Sequence, residues 1–170
     1  MTGATIVTGG GRPSVRLERQ LVDPPSVVWR ALTDREQLRA WFPCEVIVTG
    51  GKWKVGATIS FPFPAEVMDI TLTGEVLAVD EPRELAFRWG EEILRFELTE
   101  SDGGTRLVLF NELPPAAAAR NAAGWDACLD RLTGLIPAPD DWQSRFDRYS
   151  SAFEPTLGSQ EGAPAEYKGG

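Results

Sequence analysis

The chain contains no histidine, which removes whole classes of chemistry before any motif is sought. The usual zinc sites and every histidine-dependent triad need imidazole nitrogens. Acid–base work is left to carboxylates, to Tyr149 and Tyr167, and to the two thiols Cys44 and Cys128. Such groups act near neutral pH only when their surroundings move their pKa toward it. Cys44 follows Trp41-Phe42-Pro43 and could serve as a nucleophile in principle, but nothing in the sequence around it supports catalysis. Two unclustered cysteines in 170 residues read as reduced thiols, with a disulfide left open. No catalytic residue, metal ligand or cofactor is assigned, so an enzyme is the weaker reading. The stronger chemical signal is aromatic and apolar, and it points to binding.

The elements that would position those side chains follow from periodicity. Ser14 to Val22 alternates Val15, Leu17 and Leu21 against Arg16, Glu18 and Gln20, a strand signature. Asp23 is expected to cap a short helix running to Leu32, with Pro24 or Pro25 in its first turn. Thr33 or Asp34 caps a second one, whose apolar face is Leu38, Trp41 and Phe42 and which Pro43 ends. Strands follow over Glu45 to Thr49 and Ala57 to Phe63. A long strand is expected over Glu66 to Val79, bent at Gly74. Leu85, Phe87 and Trp89 alternate along another, Leu94, Phe96 and Leu98 along the next, and Arg106 to Asn111 is the last. The turns between them, with no intervening helix, argue for an antiparallel meander.

Helical period then returns. Ala118, Ala122, Trp125, Leu129, Leu132 and Ile136 share one face of a helix over Ala116 to Ile136. Asp140 to Phe153 carries an aromatic stripe, Trp142, Phe146, Tyr149 and Phe153. It could lie back on its own domain, meet a second subunit or close a pocket. The expected division is a flexible segment at residues 1–13, one domain over 14–153, and a loose tail over 154–170.

The net charge of −8 argues against nucleic acid, which needs a basic patch, and against an anionic membrane surface. No run is long and apolar enough to span a membrane. Met1 to Pro13 lacks the basic and apolar regions of a signal peptide, so a cytoplasmic protein is the expectation.

Several pieces in order carry a resemblance. They are Pro25-x-x-Val28-Trp29-x-Ala31-Leu32-Thr33-Asp34, Leu38-x-x-Trp41-Phe42, Gly74-Glu75-Val76-Leu77, and Pro82-Arg83-x-Leu85-x-Phe87-x-Trp89. Gly104-Thr105-Arg106-Leu107-x-Leu109 and Gly124-Trp125-x-x-Cys128-Leu129-Asp130-x-Leu132 complete the set. Together they resemble the SRPBCC superfamily of START and birch-pollen-allergen-like domains. Within it, the branch named for the activator of the ninety-kilodalton heat-shock protein ATPase is the most similar. The resemblance implies an α+β helix-grip fold. A curved antiparallel sheet of about six to seven strands would wrap a long C-terminal helix, with two short helices after the first strand and an extra helix at the end.

Such a fold implies a cavity between sheet and helix that takes a small, largely hydrophobic ligand. Its expected lining is Phe61, Phe63, Met68, Ile70, Phe87, Trp89, Phe96, Leu109, Asn121, Trp125 and Leu129, and its expected mouth is Trp29, Trp41 and Phe42. Gly124, costly inside a helix, is expected to make room for close packing. A cyclase- or hydrolase-like enzyme using the same cavity is the alternative, and a chaperone-associated module a further one. A homodimer is left open, and a chaperone partner is given little weight.

Overall fold

The computed structural model describes residues 3–134 and 141–164. Eight antiparallel strands form one curved sheet in the order β1-β2-β8-β7-β6-β5-β4-β3. They are β1 (Thr5–Val7), β2 (Ser14–Leu21), β3 (Ile47–Val48), β4 (Thr58–Pro62), β5 (Thr71–Asp80), β6 (Glu84–Trp89), β7 (Glu92–Ser101) and β8 (Gly104–Glu112). Two short helices, α1 (Pro25–Thr33) and α2 (Arg35–Leu38), connect β2 to β3. The long α3 (Ala118–Leu132) and then α4 (Trp142–Leu157) follow β8. This is the helix-grip arrangement, with one strand more than the sequence suggested. No helix among the described residues is long and apolar enough to cross a membrane.

The extra strand lies in the segment expected to be loose. β1 pairs with β2, Ile6 facing Val15, and the Ala4 amide donates to the Tyr149 hydroxyl at 3.0 Å. Residues 158–162 are tied down too. α4 runs on to Leu157, and the Ala119 amide donates to Gln160 Oε1 at 2.8 Å while the Glu161 amide donates to the Ala116 carbonyl at 2.8 Å. The first of these bonds satisfies an amide that a helix start leaves unpaired, and with the second it gives polar sequence at Gln160 and Glu161 a place in the fold. Expectations for Leu135–Asp140, including Ile136, and for Tyr167 fall outside the described residues.

Local chemistry accounts for the other departures. α1 is capped by Pro24, not Asp23, and has no side-chain cap. Asp34 does cap α2, its Oδ1 accepting from the amides of Glu36 and Gln37. The strand expected from Glu66 begins only at Thr71, because Pro64 opens a turn whose carbonyl accepts from the amides of Val67 and Met68. β5 is irregular between Val76 and Ala78 rather than at Gly74. Gly74 has another role: a Cβ there would lie 1.9 Å from the Arg88 carbonyl oxygen, so only glycine lets β6 come this close.

The space between sheet and α3 is full. Phe42, just after α2, makes ring contacts with Trp41, Phe61, Phe87, Trp89 and Trp125 at 5.4 to 6.4 Å between centroids. Phe61, Phe87 and Phe96 stack in a row beneath it, with Phe87 5.7 Å from Phe61 and 6.1 Å from Phe96. Leu109 and Leu129 are completely buried in the same interior. On the sheet's outer face Phe110 lies under the Arg16 guanidinium at 5.9 Å, and Arg16 and Arg106 both bind Glu18. Charged stems thus shield the apolar outer residues of β8.

Candidate functional site

Beside the filled interior, a cavity of about 370 Å³ runs along one flank of α3. Arg120, Gly124, Ala127 and Arg131 step by four, three and four along the helix, and Asn121 and Cys128 edge the same stripe. Trp89 at the end of β6 and Trp125 form the inner wall, 5.2 Å apart, with Met68 and Pro43 beside them. Trp142, at the start of α4, and the C-terminal Ala163 and Pro164 complete the rim. Gly124 opens this space rather than admitting a neighbour, since a Cβ added there would meet none of the described residues within 4 Å. The expectation that it serves close packing is therefore corrected.

Of the residues expected to line a cavity, Met68, Trp89, Asn121 and Trp125 border this one. Phe61, Phe87, Phe96, Leu109 and Leu129 are interior packing instead, each at most 2% exposed. Phe63 packs on Trp89 at 6.2 Å, and Ile70 is partly buried before β5, apart from the cavity wall. Trp29, Trp41 and Phe42, the residues expected at the mouth, are all buried. Trp41 is held by its indole N–H donating to the Ala31 carbonyl at 2.9 Å. It borders a second cavity of about 340 Å³ under α1 and α2, which Arg131 also touches from the end of α3. Trp53 donates its indole N–H to the Thr33 carbonyl at 2.9 Å and packs on Phe87 at 5.5 Å.

One end of the cavity is fixed by a polar cluster. Asn111 Oδ1 accepts from Trp125 Nε1 at 3.0 Å and from Asn121 Nδ2 at 2.9 Å. Glu92 Oε1 accepts from Asn121 Nδ2 at 2.7 Å and from Asn111 Nδ2 at 3.1 Å. Burial raises the pKa of Glu92, and its bonds to the two asparagines offset only part of that. The cluster locks the rotamers of Trp125 and Asn121, both on the cavity wall.

The thiols are poor nucleophiles. Burial pushes Cys44 up to about 12 and Cys128 up to about 11. Thiolate is then scarce at neutral pH. The Trp89 indole N–H lowers Cys44 slightly but makes no full hydrogen bond, and its nitrogen is buried without a partner among the described residues.

A family model for activator of Hsp90 ATPase homolog 1-like proteins matches residues 23–136, two-thirds of the chain. The chain belongs to this family. It thereby joins the SRPBCC superfamily. Among solved structures, a conserved protein of unknown function from Enterococcus faecalis is 23% identical, with a TM-score of 0.75 over 89% of this chain and 91% of that one. CalU16 from Micromonospora echinospora is 21% identical, with a TM-score of 0.68 over 94% of this chain and 97% of that one. DynU16, a protein of the dynemicin biosynthetic locus, is 25% identical, with a TM-score of 0.61 over 71% of this chain and 46% of that one. No curated protein matches the sequence.

On its opposite flank, the long helix of this family member carries charge. Asp126 is 7% exposed, and its carboxylate accepts from Arg19 at 2.6 Å and from the Tyr149 hydroxyl at 3.1 Å. Arg145 reaches Asp126 at 3.2 Å and Asp130 at 3.0 Å. Burial, with Asp126 adding to it, raises the Tyr149 pKa. The aromatic stripe of α4 therefore folds back on its own domain, with Tyr149 and Phe153 buried. Sequence reading missed this network although its signal was present: Arg19 falls on the inward side of the alternation Val15, Leu17, Leu21. An inward arginine on a half-buried strand demands a buried carboxylate.

Proposed function

We propose that this protein binds a small, largely apolar molecule in the cavity along α3. The observation that carries the reading is the cavity itself, walled by Trp89, Trp125 and Trp142 and floored by a glycine whose missing side chain leaves it open. Apolar and aromatic walls with a few fixed polar groups are what small-molecule sites share, and a volume near 370 Å³ sits at the small end of their range. The site suits one compact ring system or short chain. DynU16, from a biosynthetic locus, is a neighbour in keeping with a small-molecule role.

Binding fits better than catalysis. Cys128 is the one acid–base or nucleophilic side chain on the cavity wall among the described residues, and its thiol is held in the protonated form. Glu92 stands behind Asn121, bonded to two amides and off the wall.

The test is to fill the space. Gly124→Leu projects a side chain into the cavity from a helix that would otherwise gain from losing its glycine. The variant should fold normally and lose the small molecule that native mass spectrometry finds on the wild-type protein from its own host cells. Retention of that molecule by Gly124→Leu would place the site elsewhere, and a wild-type protein that carries and takes up nothing would remove the reading.

A further inference from the structure

We infer that the ligand of this cavity carries an anionic group, a carboxylate or its equivalent, and that Arg131 receives it; the inference rests on the binding role proposed above. The protein's net charge is −8, with 25 acidic residues against 17 basic ones, so a cavity wall drawn from it at random would be acidic. This wall has the reverse sign. Among the described residues it contains Arg120 and Arg131 and no aspartate or glutamate.

The two arginines are not equivalent. Arg120 already faces a carboxylate, Glu161 at 3.7 Å, and donates to the Gly162 carbonyl at 3.3 Å, so its charge is committed to holding the C-terminal segment. Arg131 has no carboxylate within ion-pairing distance among the described residues. Its Nη2 makes a long 3.4 Å contact to the neutral Trp41 carbonyl and a 3.2 Å contact to the Cys128 sulfur, a weak acceptor. Cys128 is itself on the cavity wall, so the guanidinium lies at its edge. The second cavity on the far side of Arg131 gives the side chain open space in which to turn. A guanidinium presents paired N–H groups that match a carboxylate, and such charge-assisted bonds are about twice as strong as neutral ones. Tryptophans would take the apolar body while Arg131 takes the charge.

The test compares two probes of equal ring size, 2-naphthoate and 2-naphthalenemethanol, titrated calorimetrically into the full chain at neutral pH. Naphthoate should bind about tenfold tighter than the alcohol, as expected for one charge-assisted contact at a half-open site. Arg131→Gln, an exposed position that folding should tolerate, should cut that preference to under about threefold and leave the alcohol's affinity unchanged. Arg131→Lys should keep part of it, and Arg120→Gln most of it. Equal affinity for the two probes overturns the anion assignment while the apolar site stands. A preference that survives Arg131→Gln overturns the role of Arg131. Binding of neither probe overturns the site itself, and this inference with it.

Discussion

The two flanks of α3 are built from opposite materials. Toward β2 and α4 the helix presents Ala119, Ala123, Asp126 and Asp130, and its neighbours close on it completely. The alanines let the backbones approach, and the aspartates are met by Arg19, Arg145 and Tyr149. Toward the cavity it presents Gly124, Ala127 and Arg131, and none of the described residues approaches Gly124. The filled flank shows that this helix can be packed tightly with small residues, so the open flank is not a failure of packing. A glycine in mid-helix costs roughly 1 kcal/mol relative to alanine. The hollow is held open against local stability, which is the pattern expected of a site under functional demand.

The largest effect belongs to the filled flank. Asp126→Ala removes the buried carboxylate that Arg19, Arg145 and the Tyr149 hydroxyl share, leaving Asp130 beside the two arginines, and breaking a buried ion pair from one side costs about 3–5 kcal/mol. Urea unfolding should show a loss of that order, against almost none for Arg131→Ala at the exposed end of the other flank. Equal small losses from both would mean that the charged flank is as wet as the open one, and the comparison would fail. Trp125→Ala comes next, since its ring belongs to both the interior and the cavity wall. It contacts Phe42 at 5.4 Å and Trp89 at 5.2 Å, and its truncation should cost about 3 kcal/mol or more and abolish ligand uptake as well. Loss of binding with stability untouched would assign the ring to the cavity alone.

What the sequence disclosed follows the same division. Strand alternation and helical spacing are local, so the order of elements, the two short helices and the apolar face of α3 could be read directly. Which inward residues would touch one another was not local. Phe61, Phe87 and Phe96 have the periodicity of cavity walls, but whether they enclose space depends on what is inserted among them. Phe42, from a turn after α2, fills that volume. The middle of the expected cavity is thus occupied, and the open volume lies at its flank, bordered by Met68, Trp89, Asn121 and Trp125. Gly124 was the clue to it, read as making room for packing because a sequence cannot show whether anything lies opposite a glycine. The C-terminal segment was misjudged for a similar reason: Gln160 looks like tail composition until the unpaired groups at the start of α3 are there to receive it.

Gly124→Ala sharpens the contrast further. With none of the described residues within 4 Å of the new methyl group, the substitution should raise stability by up to about 1 kcal/mol, measured as an upward shift of the thermal midpoint. The corresponding change on the filled flank, Ala123→Leu, forces a larger side chain into a fully buried position and should destabilise by about 1–3 kcal/mol. A destabilised Gly124→Ala would mean that something does occupy that space in solution.

The smallest effect is one of slope. Burial raises the pKa of Glu92, so over the range between its ordinary and its raised value the native protein binds more protons at this site than the unfolded chain does. Stability therefore falls as pH climbs through that range, and above it the native state holds an ionised, partly desolvated carboxylate at full penalty. Below the ordinary carboxylate value, about 4.3, both states are protonated and the contribution vanishes. Glu92→Gln removes the proton while keeping an oxygen to accept from Asn111 and Asn121, so the cluster that positions Trp125 should survive. The difference in unfolding free energy between variant and wild type should shift in the variant's favour as pH rises above that value, and then level off. A difference that is flat with pH, or that moves the other way, would mean that Glu92 is ionised and well solvated. The polar end of the cavity would then be open to water, and the floor beneath the ligand would be wetter than its walls.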